Sequence, residues 1–106
     1  MTTFEMRPDG HGFILSGELD MANAAEFQAA LTALLPIPGP ATIDMRKLRF
    51  IDSSGISAIM SAARAGPDAC IVLHGVHDQV DRVIEMTGID GMLPNLHVIP
   101  CVAGMR

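Results

Sequence analysis

The sequence predicts one small α/β domain with a mixed, mainly parallel β-sheet flanked by helices. Three observations carry this expectation. Segments with strand-type patterning alternate with segments of helical spacing after an opening hairpin, which is the order that parallel sheets with helical crossovers require. Start and stop residues bracket the helical segments. The chain has 106 residues, 49% of them apolar and 18% charged, enough to bury one core and too few for two, so residues 1–106 are expected to form a single domain.

The elements follow in order. Residues 3–7 alternate apolar with polar and meet the apolar run Gly12 to Gly17 across a Pro8-Asp9-Gly10 turn, so the chain should open on a hairpin. From Met21 to Leu35 the pattern turns helical. Phe27, Leu31, Leu34 and Leu35 share a face, Asp20 or Asn23 stands ready to cap the start, and Pro36, Pro38 and Pro40 stop the helix. Ala41 to Met45 reads as a strand, continued by Leu48, Phe50 and Ile51 into the polar turn Asp52-Ser53-Ser54-Gly55. Ile56, Ile59, Met60 and Ala63 then recur at helical spacing to about Arg64, before Gly66-Pro67. Cys70 to His74 is an apolar strand, with Cys70 expected in the core. Val80, Val83 and Ile84 mark a helix ended by Gly88, and Leu96 to Ile99 is the last strand.

Composition excludes several functions. A net charge of −5, with no basic run, disfavours nucleic acid, and no Trp or Tyr is available for stacking. No apolar stretch approaches the ~20 residues that span a bilayer, and the N-terminus lacks a secretory pattern. A cytoplasmic location without membrane insertion is the expectation. Cys70 and Cys101 form no C-x-x-C pair. Most of the eight Met residues are expected to fill the core. His74 and His77 lack a third ligand, no glycine loop is spaced to cradle phosphates, and none of the four histidines joins a serine in a nucleophile–base motif. No metal, no cofactor and no enzymatic activity are therefore expected, and the partner should be another protein.

The turn at residues 52–55 is the candidate site. Two hydroxyls stand at a helix start, where unpaired N–H groups and the helix dipole favour negative charge. Read locally, Ser53 or Ser54 could simply cap the helix.

Taken together, Gly17-Glu18-Leu19-Asp20, the strand reaching Asp44, Phe50-Ile51-Asp52-Ser53-Ser54-Gly55-Ile56 and Met86-Thr87-Gly88-Ile89 resemble the ordered landmarks of the STAS domain. The Asp-Ser-Ser-Gly form is similar to bacterial anti-sigma factor antagonists. That resemblance implies that Ser54 is phosphorylated by an anti-sigma factor that is itself a serine kinase. It implies further that the unphosphorylated form binds this kinase and releases a sigma factor, and that a serine phosphatase resets the switch. Asp20, Asp52, Ser53, Ser54 and Gly55 are the expected partner-binding residues, with the Ser54 hydroxyl facing outward. STAS domains also serve as accessory subunits of membrane transporters or sensory assemblies. Many of those lack the second serine, so the pair Ser53-Ser54 favours the regulator.

Overall fold

The computed structural model describes residues 3–100. Strands β1 (Phe4–Pro8) and β2 (Gly12–Leu19) form the expected antiparallel hairpin, in register from Phe4 opposite Gly17 to Pro8 opposite Phe13. Its turn is closed by Asp9 N donating to Gly12 O at 3.0 Å and by Gly10 at φ 59°, in the left-handed region that a side chain disfavours.

The chain then runs through α1 (Ala24–Leu34), β3 (Ala41–Ile51), α2 (Ser53–Ala65), β4 (Ile71–Val76), α3 (Asp78–Thr87), α4 (Ile89–Met92) and β5 (Leu96–Pro100). The sheet order is β1-β2-β3-β4-β5, with every pair after the hairpin parallel. A parallel sheet that always steps in one direction through right-handed crossovers carries its helices on one face. Burial follows that geometry. Leu15 and Leu19 on β2, Ile43, Met45, Leu48 and Ile51 on β3, and Ile71 and Leu73 on β4 are buried, together with Phe27, Leu31, Ile59 and Ile84 from the helices. On the other face Thr42 and Arg49 are exposed, and Ser16 and His74 are half-buried.

Local chemistry sets several boundaries. The first helix begins at Ala24, later than the periodicity suggests, because residues 21–23 form a turn. Asn23 occupies the N-cap position without a side-chain capping bond. Instead its Oδ1 accepts from Asp20 N and its Nδ2 donates to Glu18 O, both at 3.0 Å, so the buried amide ties the end of β2 to the helix entry. Gly88, at φ 68°, ends α3 in the left-handed conformation and leads into α4, a single turn that periodicity does not reveal. Cys70 is half-exposed, just ahead of β4, and not in the core as expected. Met45 is buried and Met6 and Met60 pack partly buried against the core, while Met21, Met86 and Met92 are exposed, so half of the described methionines serve the core where most were expected to. Cys101 lies outside the described residues. No helix among those described is long and apolar enough to cross a membrane.

Candidate functional site

The parallel register brings Leu19 opposite Ile51, and Asp52 N donates to Leu19 O at 3.2 Å. The first residues after two neighbouring strands, Asp20 and Asp52, therefore stand side by side at the carboxyl edge of the sheet. In open α/β sheets this edge is where sites are usually built.

Asp52 has an extended backbone, φ −115° and ψ −173°, and it is Asp52 that caps α2. Its Oδ1 accepts from Ser54 N at 2.8 Å and from Gly55 N at 3.3 Å, while its carbonyl accepts from Ile56 N at 3.1 Å. Neither Ser53 nor Ser54 is the cap, so the local alternative of a capping serine is corrected. The extended residue before the helix is the one whose side chain folds back over the first turn. Among the described residues no hydrogen bond engages either serine hydroxyl. Asp20 works differently. Its Oδ1 accepts from Ala22 N at 3.0 Å, closing the turn after β2.

Helical phase sorts the two hydroxyls. Ser53 lies on the outer row with Ser57, Ser61 and Arg64, all exposed; Ser54 sits on the flank of buried Ala58 and is half-buried. The expected outward placement thus describes Ser53 better than Ser54. Gly55 faces the sheet. A Cβ built there would stand 2.7 Å from Ile51 Cγ1 and 2.9 Å from Leu19 Cγ, so glycine is what lets the first turn of α2 seat on the ends of β2 and β3.

One residue at the site carries no sequence signal. Gln79, near the start of α3, reaches Ile51: Ile51 N donates to its Oε1 at 3.0 Å, and its Nε2 donates to Ile51 O at 2.9 Å. The two residues are 28 positions apart, and no local pattern relates them.

The ionisable groups nearby serve the frame. The Arg46 guanidinium, bidentate on Asp44 with the shorter contact at 2.7 Å, holds the Asp44 carboxyl below its usual range. His77, the N-cap of α3, contacts Asp78 Oδ2 through Nδ1 at 2.9 Å and Arg46 O through Nε2 at 2.8 Å; the Asp78 carboxylate raises its pKa. Asp78 adopts φ 51°, a left-handed conformation that Asp tolerates better than most residues. His11 bridges Leu34 O and Pro40 O at the far end of the sheet, and His97 is exposed on β5. No histidine hydrogen-bonds either serine among the described residues. Nor do the described residues include a group of His, Cys, Asp or Glu that could hold a metal ion.

A concavity of about 710 Å³ lies away from this site, between the proline-rich loop after α1 and the segment Gly66 to Cys70. It opens at the amino edge of the parallel strands, opposite Ser54.

The family model described as "Mlab, STAS domain" matches residues 3–95. The chain belongs to the STAS-domain family. Its fold is shared with an anti-sigma factor antagonist from Mycobacterium paratuberculosis, at 21% identity and TM-score 0.72 over 98% of this chain and 90% of that one. The anti-sigma factor antagonist SpoIIAA of Bacillus, in its unphosphorylated form, superposes at 14% identity and TM-score 0.63, covering 97% and 93% of the two chains. A sulfate transporter family protein from Wolinella succinogenes matches at 18% identity and TM-score 0.70, over 87% of this chain and 77% of that one. No functionally curated protein matches the sequence. Within this STAS domain the Asp52-Ser53-Ser54-Gly55 turn is the junction of β3 and α2, and Gly88-Ile89 joins α3 to α4 with Ile89 buried.

Proposed function

We propose that this STAS domain is an anti-sigma factor antagonist, a cytoplasmic and non-enzymatic switch that binds an anti-sigma factor serine kinase while Ser54 is unmodified. Binding releases the sigma factor, phosphorylation of Ser54 ends the complex, and a serine phosphatase restores it. The observation that carries this reading is the Ser54 hydroxyl, half-buried and without a hydrogen-bond partner among the described residues, on a helix turn already capped by the Asp52 carboxylate and beside Asp20. Phosphate would add about −1.5 to −2 charges against these carboxylates. Because Asp52 already occupies the amides of Ser54 and Gly55, the new charge has little neutralising contact within the domain and falls on the docking surface. Support from similarity comes from SpoIIAA, solved in unphosphorylated and phosphorylated forms.

The test uses Ser54→Ala and Ser54→Asp with the kinase recovered from the native cell. Ser54→Ala should remain bound and resist phosphorylation. Ser54→Asp should bind at least about tenfold more weakly, since an unpaired charge brought into a protein contact costs about 2–5 kcal/mol and aspartate carries less charge than phosphate. Equal affinities, or phosphate found on Ser53 alone by fragment mass spectrometry, would reject the reading.

A second reading has its own support in the fold shared with the Wolinella protein and with murine Slc26a9, an anion transporter of which this fold spans 17%. Recovery of a membrane transporter in place of a kinase would favour it.

A further inference from the structure

Strand β3 outruns its neighbour. Its pairing with β4 ends at Asp44 opposite His74, yet β3 continues to Ile51. In a parallel sheet, alternate residues point their N–H and C=O groups to opposite sides. Asp52 N faces β2 and donates to Leu19 O, so the N–H and C=O of Ile51 face the side where β4 is missing. An unpaired edge in a half-buried place is costly unless something covers it.

The start of α3 supplies the cover. His77 Nε2 takes Arg46 O at 2.8 Å, and the Gln79 amide takes both groups of Ile51, accepting from N at 3.0 Å and donating to O at 2.9 Å. A primary amide carries both an acceptor oxygen and N–H donors, so Gln79 satisfies at Ile51 the N–H and the C=O that a neighbouring strand would otherwise have paired. Ile51 has no exposed surface and directly precedes Asp52. The turn that carries Ser54 is consequently held from two sides, by Leu19 O on β2 and by Gln79 on α3.

We propose that Gln79 is a positioning residue for the Ser54 switch: by clasping Ile51 it fixes the Asp52-Ser53-Ser54 turn in the conformation that a protein partner reads, and couples that turn to the start of α3. The clasp stands on geometry alone; its consequence for the partner rests on the function proposed above.

The experiment measures backbone amide exchange by NMR on the free protein for wild type, Gln79→Ala, Gln79→Glu and His77→Ala. Exchange of Ile51, Ser54 and Gly55 in Gln79→Ala should accelerate about tenfold or more, with Leu73 in β4 unchanged. Gln79→Glu keeps the acceptor and loses the donor, so it should fall between. His77→Ala loosens α3 at Arg46 and should leave Ser54 and Gly55 protected. The kinase recovered by Ser54→Ala is then presented with each variant. Gln79→Ala should be phosphorylated at Ser54 several-fold more slowly than His77→Ala. Unchanged exchange at Ile51 and Ser54 in Gln79→Ala overturns the proposal. So does faster exchange with an undiminished phosphorylation rate, which would make the clasp purely structural. If wild type is not phosphorylated at all, the proposed function fails, and amide exchange by itself decides whether Gln79 positions the turn. Uniform acceleration that includes Leu73 would mean global destabilisation and would also reject a local role.

Discussion

Asp52 makes two separable contributions, and substitution at this one position can divide them. As a hydrogen-bond acceptor it closes the first turn of α2, with a strong bond to Ser54 N at 2.8 Å and a longer one to Gly55 N at 3.3 Å. As a charge it faces the positive end of the helix and stands beside the candidate phosphorylation site. Asp52→Ala removes both, and losing an N-cap costs about 1 kcal/mol, with a range of about 0.5–2. One of the two bonds is long and the site is half-buried, so about 1–1.5 kcal/mol is the expected loss. For a domain near 100 residues that lowers Tm by roughly 4–10 °C. Asp52→Asn keeps an oxygen in the same place and gives up only the charge–dipole part, about 0.3–1 kcal/mol. Urea unfolding and thermal melts should therefore rank wild type above Asn above Ala, with unchanged m-values. Binding of the proposed kinase partner should rank differently, because both variants lack the charge: they should resemble each other and differ from wild type. Equal destabilisation by Asn and Ala would refute the capping argument, and stability unchanged in Ala would refute it outright.

Other expectations can be checked on the same protein. Gly55→Ala should destabilise by about 1–3 kcal/mol in urea, since its Cβ would press on fully buried Ile51 and Leu19; a neutral or stabilising result would show that α2 can lift off the strand ends at no cost. The raised pKa of His77 makes its contribution greatest below its unfolded value near 6.5. That contribution is lost as pH rises through the higher folded value. Asp78 is largely exposed, so it amounts to no more than about 0.5 kcal/mol, and the Tm difference between wild type and His77→Gln should shrink between pH 6 and 9. Replacing Asn95 with Ala should cost more, about 1–3 kcal/mol, because its Nδ2 serves the carbonyls of Ala63, Gly66 and Ala69 at 3.0–3.1 Å; a loss under about 0.5 kcal/mol would mean that water replaces it freely.

Much of the fold was legible because its determinants are local. Period and punctuation located all five strands and the three longer helices, and the step from hairpin to alternating units gave the parallel sheet. Strand β3 was harder. Its buried residues run Ala41, Ile43, Met45, Leu48 and Ile51, and spacings of three break the two-residue period where the pairing with β2 shifts register. Two bulged positions thus interrupt the period of one long strand. Single-residue placements failed where composition was asked to specify position. Cys70 is apolar but stands at a strand mouth, and Met21 and Met86 are apolar but on surfaces that no element covers. At the site, Asp-Ser-Ser-Gly offered three side chains able to cap a helix, and only backbone geometry chose Asp52. Gln79 and Asn95 were invisible for a different reason. Each satisfies backbone groups at least 26 positions away, and a polar side chain that pairs with distant backbone leaves no periodic trace.

In the proposed switch, the half-buried setting of Ser54 lets the fold survive modification. An exposed hydroxyl such as that of Ser53 would carry a phosphate toward solvent, where its charge is better hydrated and screened than in a half-buried place. A fully buried one could not be reached by a kinase, and its phosphate would disrupt the core. Ser54 lies between these limits, on the flank of α2 beside Ala58. Its own amide is already engaged by Asp52, so the helix start does not depend on the state of the hydroxyl. Added charge then works against the carboxylates of Asp20 and Asp52 and against whatever docks over them, while the cap, the Gln79 clasp and the contact of Gly55 with the strand ends persist. Ser54→Asp should accordingly lose less than about 1 kcal/mol of folding stability, within the range of surface substitutions and small electrostatic penalties, while losing at least about tenfold in partner affinity. Urea unfolding and calorimetry on the same preparation test both halves. A Ser54→Asp domain that unfolds as readily as it releases its partner would show the switch acting through the fold and not through the surface.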